Sequence, residues 1–516
     1  MDLDRDACYR ALLARDPRFD GRFFVGVLST GIYCRPICPA RTPKRRHVVF
    51  FPTAAAAQEA GFRPCLRCRP ETAPDLAAWR GTSNTVARAL ALIERGALDE
   101  DGVESLAERL GVGARQLRRL FRQHLGASPV AVAQTKRVLL AKQLIHDTQL
   151  PMTQVALAAG FGSIRRFNET FRDLYGRPPG ALRRAAGNGA AGADVVVRLP
   201  YREPYDWPAM LAFLRARAIP GVESVSGGVY SRTIAFDGHC GIIRVAAGSD
   251  RTLHVTAAFP KLDRLPSIIA RLRRMFDLGA DPPAIAAHLS EDAVLAPLVA
   301  RRPGLRVPGA WDAFELAVRA VLGQQITVAA AAGLAGRLVA MFGEPLPAGI
   351  CTDALTHVFP TPERLADADL SRLGMPRQRA AALAALAASV REDPHLFAIG
   401  RSLDDAVNRL REVPGIGEWT AQYIAMREMR EADAFPVGDA GLLRAFAAKT
   451  GQPTTPAALL AHAERWRPWR AYAAQHLWAA LAELETQRPG TRRSRRADRR
   501  PTLDVAAAPR SAAAAR

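Results

Sequence analysis

Cys34 and Cys38 are separated by three residues, Cys65 and Cys68 by two, and twenty-six residues lie between the pairs. Two such knuckles supply four thiolates, the donor set that a tetrahedral Zn²⁺ takes. Spacing alone admits a closed site that only staples a small domain. It equally admits a reactive one, because zinc keeps a thiolate deprotonated at neutral pH and a thiolate is a nucleophile. The second stretch with chemistry in it is residues 410–446, LREVPGIGEWTAQYIAMREMREADAFPVGDAGLLRAF. Two short helical patterns flank Pro414-Gly415-Ile416-Gly417, and a carboxylate, Asp439, follows about twenty residues on. Gly415 and Gly417 suit a tight turn whose N–H groups point outward at the start of the next helix, a ready phosphate site. Asp439 also reads as the N-cap of a helix over residues 440–449, and an ordinary αα-hairpin would need nothing more.

The residues around both motifs carry resemblances. FFVGVLSTGIYCRPICPARTPKRRHVVFF followed by AGFRPCLRC resembles the N-terminal domain of Ada-type methylphosphotriester sensors. That resemblance implies one zinc ion on Cys34, Cys38, Cys65 and Cys68, with Cys34 the sulfur that takes a methyl group from DNA. Arg35, Arg41, Lys44, Arg45, Arg46, Arg67 and Arg69 surround the motif as backbone contacts or a solvated face. Cys8, Cys240 and Cys351 have no helper ligands and are expected as free core thiols.

The PGIG turn with its downstream Asp resembles the helix–hairpin–helix signature of the DNA glycosylase superfamily, in its AlkA-like 3-methyladenine branch. The resemblance implies phosphate contacts at Pro414, Gly415 and Gly417, and Asp439 stabilising an oxocarbenium-like sugar and activating water. It sets Trp419, Tyr423 and Trp478 along the base pocket, and Gln324 and Gln325 at the gap left by a flipped nucleotide. Trp419 occupies the position of the lysine in bifunctional relatives, so a monofunctional enzyme is expected. The four-cysteine tail of iron–sulfur relatives is missing, so no cluster is expected.

These motifs need elements to position them. Helical periodicity runs from Thr85 to Arg184 and repeats once: Leu106-Ala107…Leu110-Gly111…Phe121-Arg122…Gly126 matches Val155-Ala156…Ala159-Gly160…Phe171-Arg172…Gly176. Each copy reads helix, glycine turn, helix, and the pair resembles an AraC-type DNA-binding domain. Recognition helices fall at 114–125 and 163–175, with Arg115, Gln116, Arg118, Arg119, Arg165, Arg166 and Asn168 as contacts to bases or phosphates. Residues 185–193, AAGNGAAGA, read as a flexible tether. Beyond it, strands at 195–199, 229–236, 241–246 and 253–257 with helices at 207–218 and 264–276 make a small α+β unit like the AlkA-type N-terminal lobe. From about Asp281 the pattern is all-helical.

The expected fold is therefore multidomain and mainly α, in six parts. They are a zinc-bound α/β domain (1–80), an AraC-type double helix-turn-helix (83–185), a linker (186–194), an α+β lobe (195–280), an all-α helix–hairpin–helix domain (281–485) and a disordered arginine-rich tail (486–516). Across 516 residues, 49% hydrophobic and 23% charged, the formal net charge is +21. That balance favours a polyanionic partner over an acidic small molecule. The start, MDLDRDACYR, is acidic without an apolar run, and charges interrupt every apolar stretch, so a cytoplasmic chain with no membrane partner is expected; it is also expected as a monomer. The resemblances make its partners alkylated and promoter double-stranded DNA, with RNA polymerase a further partner for an activator. The competing reading is a transcription regulator whose C-terminal half is a catalytically inactive DNA clamp.

Overall fold

The computed structural model describes residues 4–74, 84–94, 96–98, 101–183, 194–249, 251–398 and 402–487. The Gly-rich tether, apart from Asp194, and the arginine cluster of the tail fall outside the described residues. No helix among those described is long and apolar enough to cross a membrane.

Alternating apolar residues near the N-terminus form a four-stranded sheet of order β3-β1-β2-β4, with β1 Phe24–Val27, β2 Ile32–Cys34, β3 Val48–Phe51 and β4 Arg63–Pro64. β1 pairs antiparallel with β2 and β3, whereas β2 and β4 run parallel with Ile32 opposite Arg63 and Tyr33 opposite Pro64. This parallel pair matters because Cys34 ends β2 and Cys65 follows β4, so the register brings the two cysteine knuckles side by side. The Cys65 N–H donates to the Tyr33 carbonyl at 3.0 Å.

Both helix-turn-helix copies form. Val103–Arg109 and Ala114–Leu125 make the first, Met152–Ala158 and Ile164–Tyr175 the second, and Pro129–Asp147 joins them. Ser163 is the N-cap of the last helix rather than its first residue, its hydroxyl accepting from the Arg166 N–H. Leu117, Phe121 and Leu125 point inward at helical spacing, as do Phe167 and Phe171. Gly126 and Gly176 end the two recognition helices at φ +69° and +65°, the left-handed cap that glycine adopts without strain.

The α+β lobe carries a five-stranded antiparallel sheet of order β5-β9-β8-β7-β6, with β5 Val195–Pro200, β6 Glu223–Ser226, β7 Val229–Phe236, β8 His239–Ala247 and β9 Thr252–Ala258. β6 is the strand that the apolar pattern does not reveal, since ESVS is short and polar. Helices Trp207–Arg217 and Leu265–Met275 accompany the sheet. Among the described residues beyond the lobe the regular elements are helices, except for Glu344–Pro345 and His357–Val358, a two-stranded ladder that corrects the all-helical expectation.

The two halves pack together. Val138, Leu144, Phe167 and Phe171 of the helix-turn-helix unit share one apolar cluster with Val195, Leu199 and Leu265 of the lobe. Arg22 pairs with Asp281 at 2.9 Å, and Arg88 donates twice to Glu431, at 2.8 and 2.9 Å. Cys8 is buried as expected, but Cys351 is exposed beyond the turn after Pro347 and Cys240 is half-buried on β8. The core-thiol reading is thus corrected for Cys351, which lies in a surface loop, whereas Cys240 packs against the small cluster of Ile242, Leu346, Leu355 and Val358.

Candidate functional site

Helix Leu403–Arg411 and helix Glu418–Arg427 flank the PGIG turn. Val413 and Ile416 are buried and anchor it, leaving Pro414, Gly415 and Gly417 exposed. Gly415 sits at φ +88°, and a Cβ there would lie 2.3 Å from that of Ala382, so both the backbone and the neighbouring helix require glycine. No side chain caps the helix that begins after Gly417, so its first N–H groups stay available to an anion.

Asp439 is the N-cap of Ala440–Thr450, and its Oδ1 accepts from the Leu442 N–H at 2.8 Å. The same oxygen accepts from Trp478 Nε1 at 2.9 Å, and Oδ2 accepts from Trp419 Nε1 at 2.9 Å. The cap is thus part of a larger arrangement, in which three N–H donors fix one half-buried carboxylate. Trp419 lies nearly parallel to Tyr423, with ring centroids 5.2 Å apart and 9° between planes, and Trp478 meets Tyr423 edge-on at 6.4 Å. The three aromatics expected together are together. Sequence spacing gave no hint that both indoles also donate to the carboxylate.

Arg427 was not singled out by the sequence. Its Nη1 donates to the Tyr423 hydroxyl at 2.5 Å, while Nε and Nη2 hold the carbonyls of Pro308 and Gly309. Burial raises the Tyr423 phenol, but the Arg427 and Arg217 guanidiniums outweigh it and hold the group below the ordinary tyrosine range. Gln324 turns inward, its Nε2 donating to Gly415 O at 3.0 Å and Thr420 Oγ1 at 3.2 Å. Gln325 is exposed at φ +59°, a left-handed conformation uncommon for glutamine.

At the other end of the chain, the donor sulfurs of Cys34, Cys38, Cys65 and Cys68 lie within 4.8 Å of one another. Sulfurs about 2.3 Å from a tetrahedral zinc stand at such separations, so the cluster fits the metal. The Arg35 and Arg67 N–H groups donate to Cys68 and Cys65 Sγ, both at 3.3 Å. Cys38, Cys65 and Cys68 are buried, and Cys34 is the most accessible of the four. Among the surrounding cations Arg41, Lys44, Arg46 and Arg67 are exposed. Arg35 is instead spent on Asp20 and Thr72, and Arg69 on Glu71 and Asp147. Those two brace the fold rather than face solvent.

On the recognition helices Arg115, Gln116, Arg118, Arg119, Arg165 and Arg166 are exposed, and Asn168 is half-buried. Arg118 and Arg165 rest on Glu104 and Glu169 in exposed ion pairs, which cost little to break.

Four family models match the chain. They are the metal binding domain of Ada (residues 7–71), a helix-turn-helix domain (106–185), the AlkA N-terminal domain (196–312) and the HhH-GPD superfamily base excision DNA repair protein (318–471). The probable bifunctional transcriptional activator/DNA repair enzyme AlkA of Mycobacterium tuberculosis is 45% identical over 95% of this chain and 99% of its own length. The DNA-3-methyladenine glycosylase 2 of Escherichia coli is 39% identical over 54% of this chain and 95% of its own. The bifunctional transcriptional activator/DNA repair enzyme Ada of Escherichia coli is 37% identical over 31% of this chain and 43% of its own. A solved 3-methyladenine DNA-glycosylase from Archaeoglobus fulgidus shares the fold of the C-terminal half, with a TM-score of 0.50 at 23% identity over 56% of this chain and 98% of that one.

Proposed function

The chain belongs to the family of bifunctional transcriptional activator/DNA repair enzymes that its mycobacterial relative represents, and we propose that it joins two alkylation-repair chemistries in one polypeptide. In the C-terminal half a damaged nucleotide is flipped out of duplex DNA and its base lies against Trp419, Tyr423 and Trp478. Pro414, Gly415 and Gly417 hold the backbone, and Gln324 and Gln325 stand at the gap in the helix. N3-methylated purines are cationic, and stacking on electron-rich rings favours them by about 0.5–2 kcal/mol. As the C1′–N bond breaks, its electrons leave with the base and positive charge develops on the sugar. Asp439, kept in place by its three donors, stabilises that charge and orients the water that attacks C1′. With an indole where a lyase needs an amine, no Schiff base forms at position 419 and the enzyme is monofunctional.

In the N-terminal half one Zn²⁺ held by Cys34, Cys38, Cys65 and Cys68 would keep the sulfurs deprotonated at neutral pH. The accessible Cys34 sulfur attacks the methyl carbon of a DNA methylphosphotriester. An S–C bond forms, the methyl C–O bond breaks, and a phosphodiester anion departs. The event happens once per chain, because the S–C bond of the thioether is stable to water. Arg115, Gln116, Arg118, Arg119, Arg165, Arg166 and Asn168 then contact promoter DNA, and the protein acts as a monomeric activator through RNA polymerase.

The observation that carries the glycosylase reading is the Asp439 carboxylate gripped by the indoles of Trp419 and Trp478 beside the hairpin. A helix cap needs only the Leu442 amide, so the two added indole donors favour the catalytic reading over an inactive clamp. Mass spectrometry after incubation with methylphosphotriester DNA tests the other half. The expected result is one added methyl on Cys34 and none in Cys34→Ser, and an unmodified wild type would contradict the acceptor role.

A further inference from the structure

We propose that Arg217 determines specificity in the base pocket by donating to a carbonyl oxygen of the flipped base, so that 6-oxopurines depend on it and 3-methyladenine does not. The inference rests on the glycosylase reading and deepens it, for it draws the α+β lobe into a site that sequence reasoning confined to the helical domain.

Arg217 ends the lobe helix Trp207–Arg217 and is half-buried. Its guanidinium carbon lies 3.9 Å from the centroid of the Phe213 ring, which Arg427 also approaches, at 4.6 Å. The two arginines differ in what they have left to give. Arg427 is spent on Pro308 O, Gly309 O and the Tyr423 hydroxyl. Arg217 reaches the same hydroxyl with one N–H, and among the described residues no carboxylate pairs with its remaining N–H groups. A guanidinium drawn partly out of water with unspent donors is costly unless an acceptor arrives.

Its position is built rather than incidental. The Arg217 carbonyl accepts from Arg319 Nη1 at 2.7 Å, and Arg319 is itself held by Glu223 and Glu315 in a buried network with Arg232. That network ties the lobe to helix Ala313–Leu322, whose end leads into Gln324 and Gln325. Tyr423 stacks on Trp419, and Trp419 donates to Asp439. One aromatic wall thus has a carboxylate beside one ring and a cationic donor array beside the other. The carboxylate suits a sugar becoming positive, and the donor array suits an acceptor on the base. Hypoxanthine offers a carbonyl there and is neutral. 3-Methyladenine offers none and is cationic, so a second positive charge gives it no advantage.

The test is single-turnover release of hypoxanthine and of 3-methyladenine from otherwise identical duplexes by the full chain, by Arg217→Met and by Arg217→Lys. Arg217→Met should lose about tenfold or more on hypoxanthine, as expected for a hydrogen bond from a charged donor. Its loss on 3-methyladenine should be severalfold smaller than on hypoxanthine, and Arg217→Lys should recover part of the hypoxanthine loss. Equal losses on both bases with a shallower salt dependence would make Arg217 a phosphate contact and overturn the proposal. Undiminished hypoxanthine release by Arg217→Met, or a wild type that frees 3-methyladenine but no hypoxanthine, would overturn it while leaving the glycosylase reading intact. A wild type that releases neither base would overturn both.

Discussion

Replacing Trp419 by Phe keeps an aromatic face beside Tyr423 and removes a single N–H. Oδ2 of Asp439 then loses the Trp419 donor, while Oδ1 keeps the Leu442 amide and the Trp478 indole. A hydrogen bond to a charged group is worth about 1.5–3 kcal/mol, which corresponds to roughly 10- to 150-fold in rate if the loss is fully felt in the transition state. Single-turnover release of 3-methyladenine from methylated duplex, with protein in excess over DNA, measures it without contributions from product release. The discriminating experiment repeats the substitution in an Asp439→Asn background. There the Asn side chain can serve Leu442 and Trp478 through its one acceptor oxygen, which sets its NH₂ against the Trp419 N–H. If the indole acts through the carboxylate, Trp419→Phe should cost nothing further, within about twofold, and the two substitutions should couple by at least about 1 kcal/mol. Equal losses in both backgrounds would refute the reasoning and leave Trp419 acting through base stacking alone.

The hairpin turn supplies another prediction. Gly415→Ala forces an L-residue to φ +88° and a Cβ to within 2.3 Å of Ala382; the left-handed backbone alone costs roughly 1–2 kcal/mol. Thermal unfolding should occur at lower temperature and DNA affinity should fall, whereas Gly417→Ala, with open space around its Cβ, should fold normally. Equal thermal behaviour of the two variants would contradict this account of the turn. His476 sets a pH dependence. Burial first, and the Arg302 charge second, push it down to about 4 from 6.5. Because the folded state favours the neutral ring, the associated stability is complete above pH 6.5. It declines as pH falls toward 4, by up to about 3 kcal/mol. His476→Leu should flatten the loss of stability between pH 7.5 and pH 5, and an unchanged slope would rule His476 out as its source.

The parts legible in the sequence are those where chemistry is local. Each zinc knuckle lies within five residues, so Cys34, Cys38, Cys65 and Cys68 announce themselves. What the spacing does not carry is the parallel pairing of β2 with β4 that brings the knuckles together. The repeated Gly-turn pattern gave both helix-turn-helix units nearly to the residue, because helical period and glycine caps are short-range signals. The polar strand β6 was missed for the opposite reason: it pairs with β7 through backbone bonds that need no apolar alternation. Asp439 was legible as a cap and as a carboxylate. Its bonds to Trp419 and Trp478 span twenty and thirty-nine residues, and indole orientation leaves no trace in the spacing of the tryptophans. Arg217 lay hidden in a lobe that reads as scaffold, since a helix-terminal arginine is ordinary until the fold sets Tyr423 beside it. The packing of the sensor half on the lobe was invisible too. The Gly-rich stretch suggested independent modules, yet Phe167, Phe171 and Leu144 serve the inter-module cluster with the same periodicity that would serve a self-contained bundle.

The most direct measurement is release of 3-methyladenine from methylated duplex DNA by the wild type and by Asp439→Asn, with folding of both verified. A carboxylate about 4 Å from a developing sugar cation contributes about 4 kcal/mol at an effective dielectric constant of 20, so the variant should be slower by about a thousandfold. A wild type that frees no base, or an Asp439→Asn protein that frees it equally fast, would contradict the account.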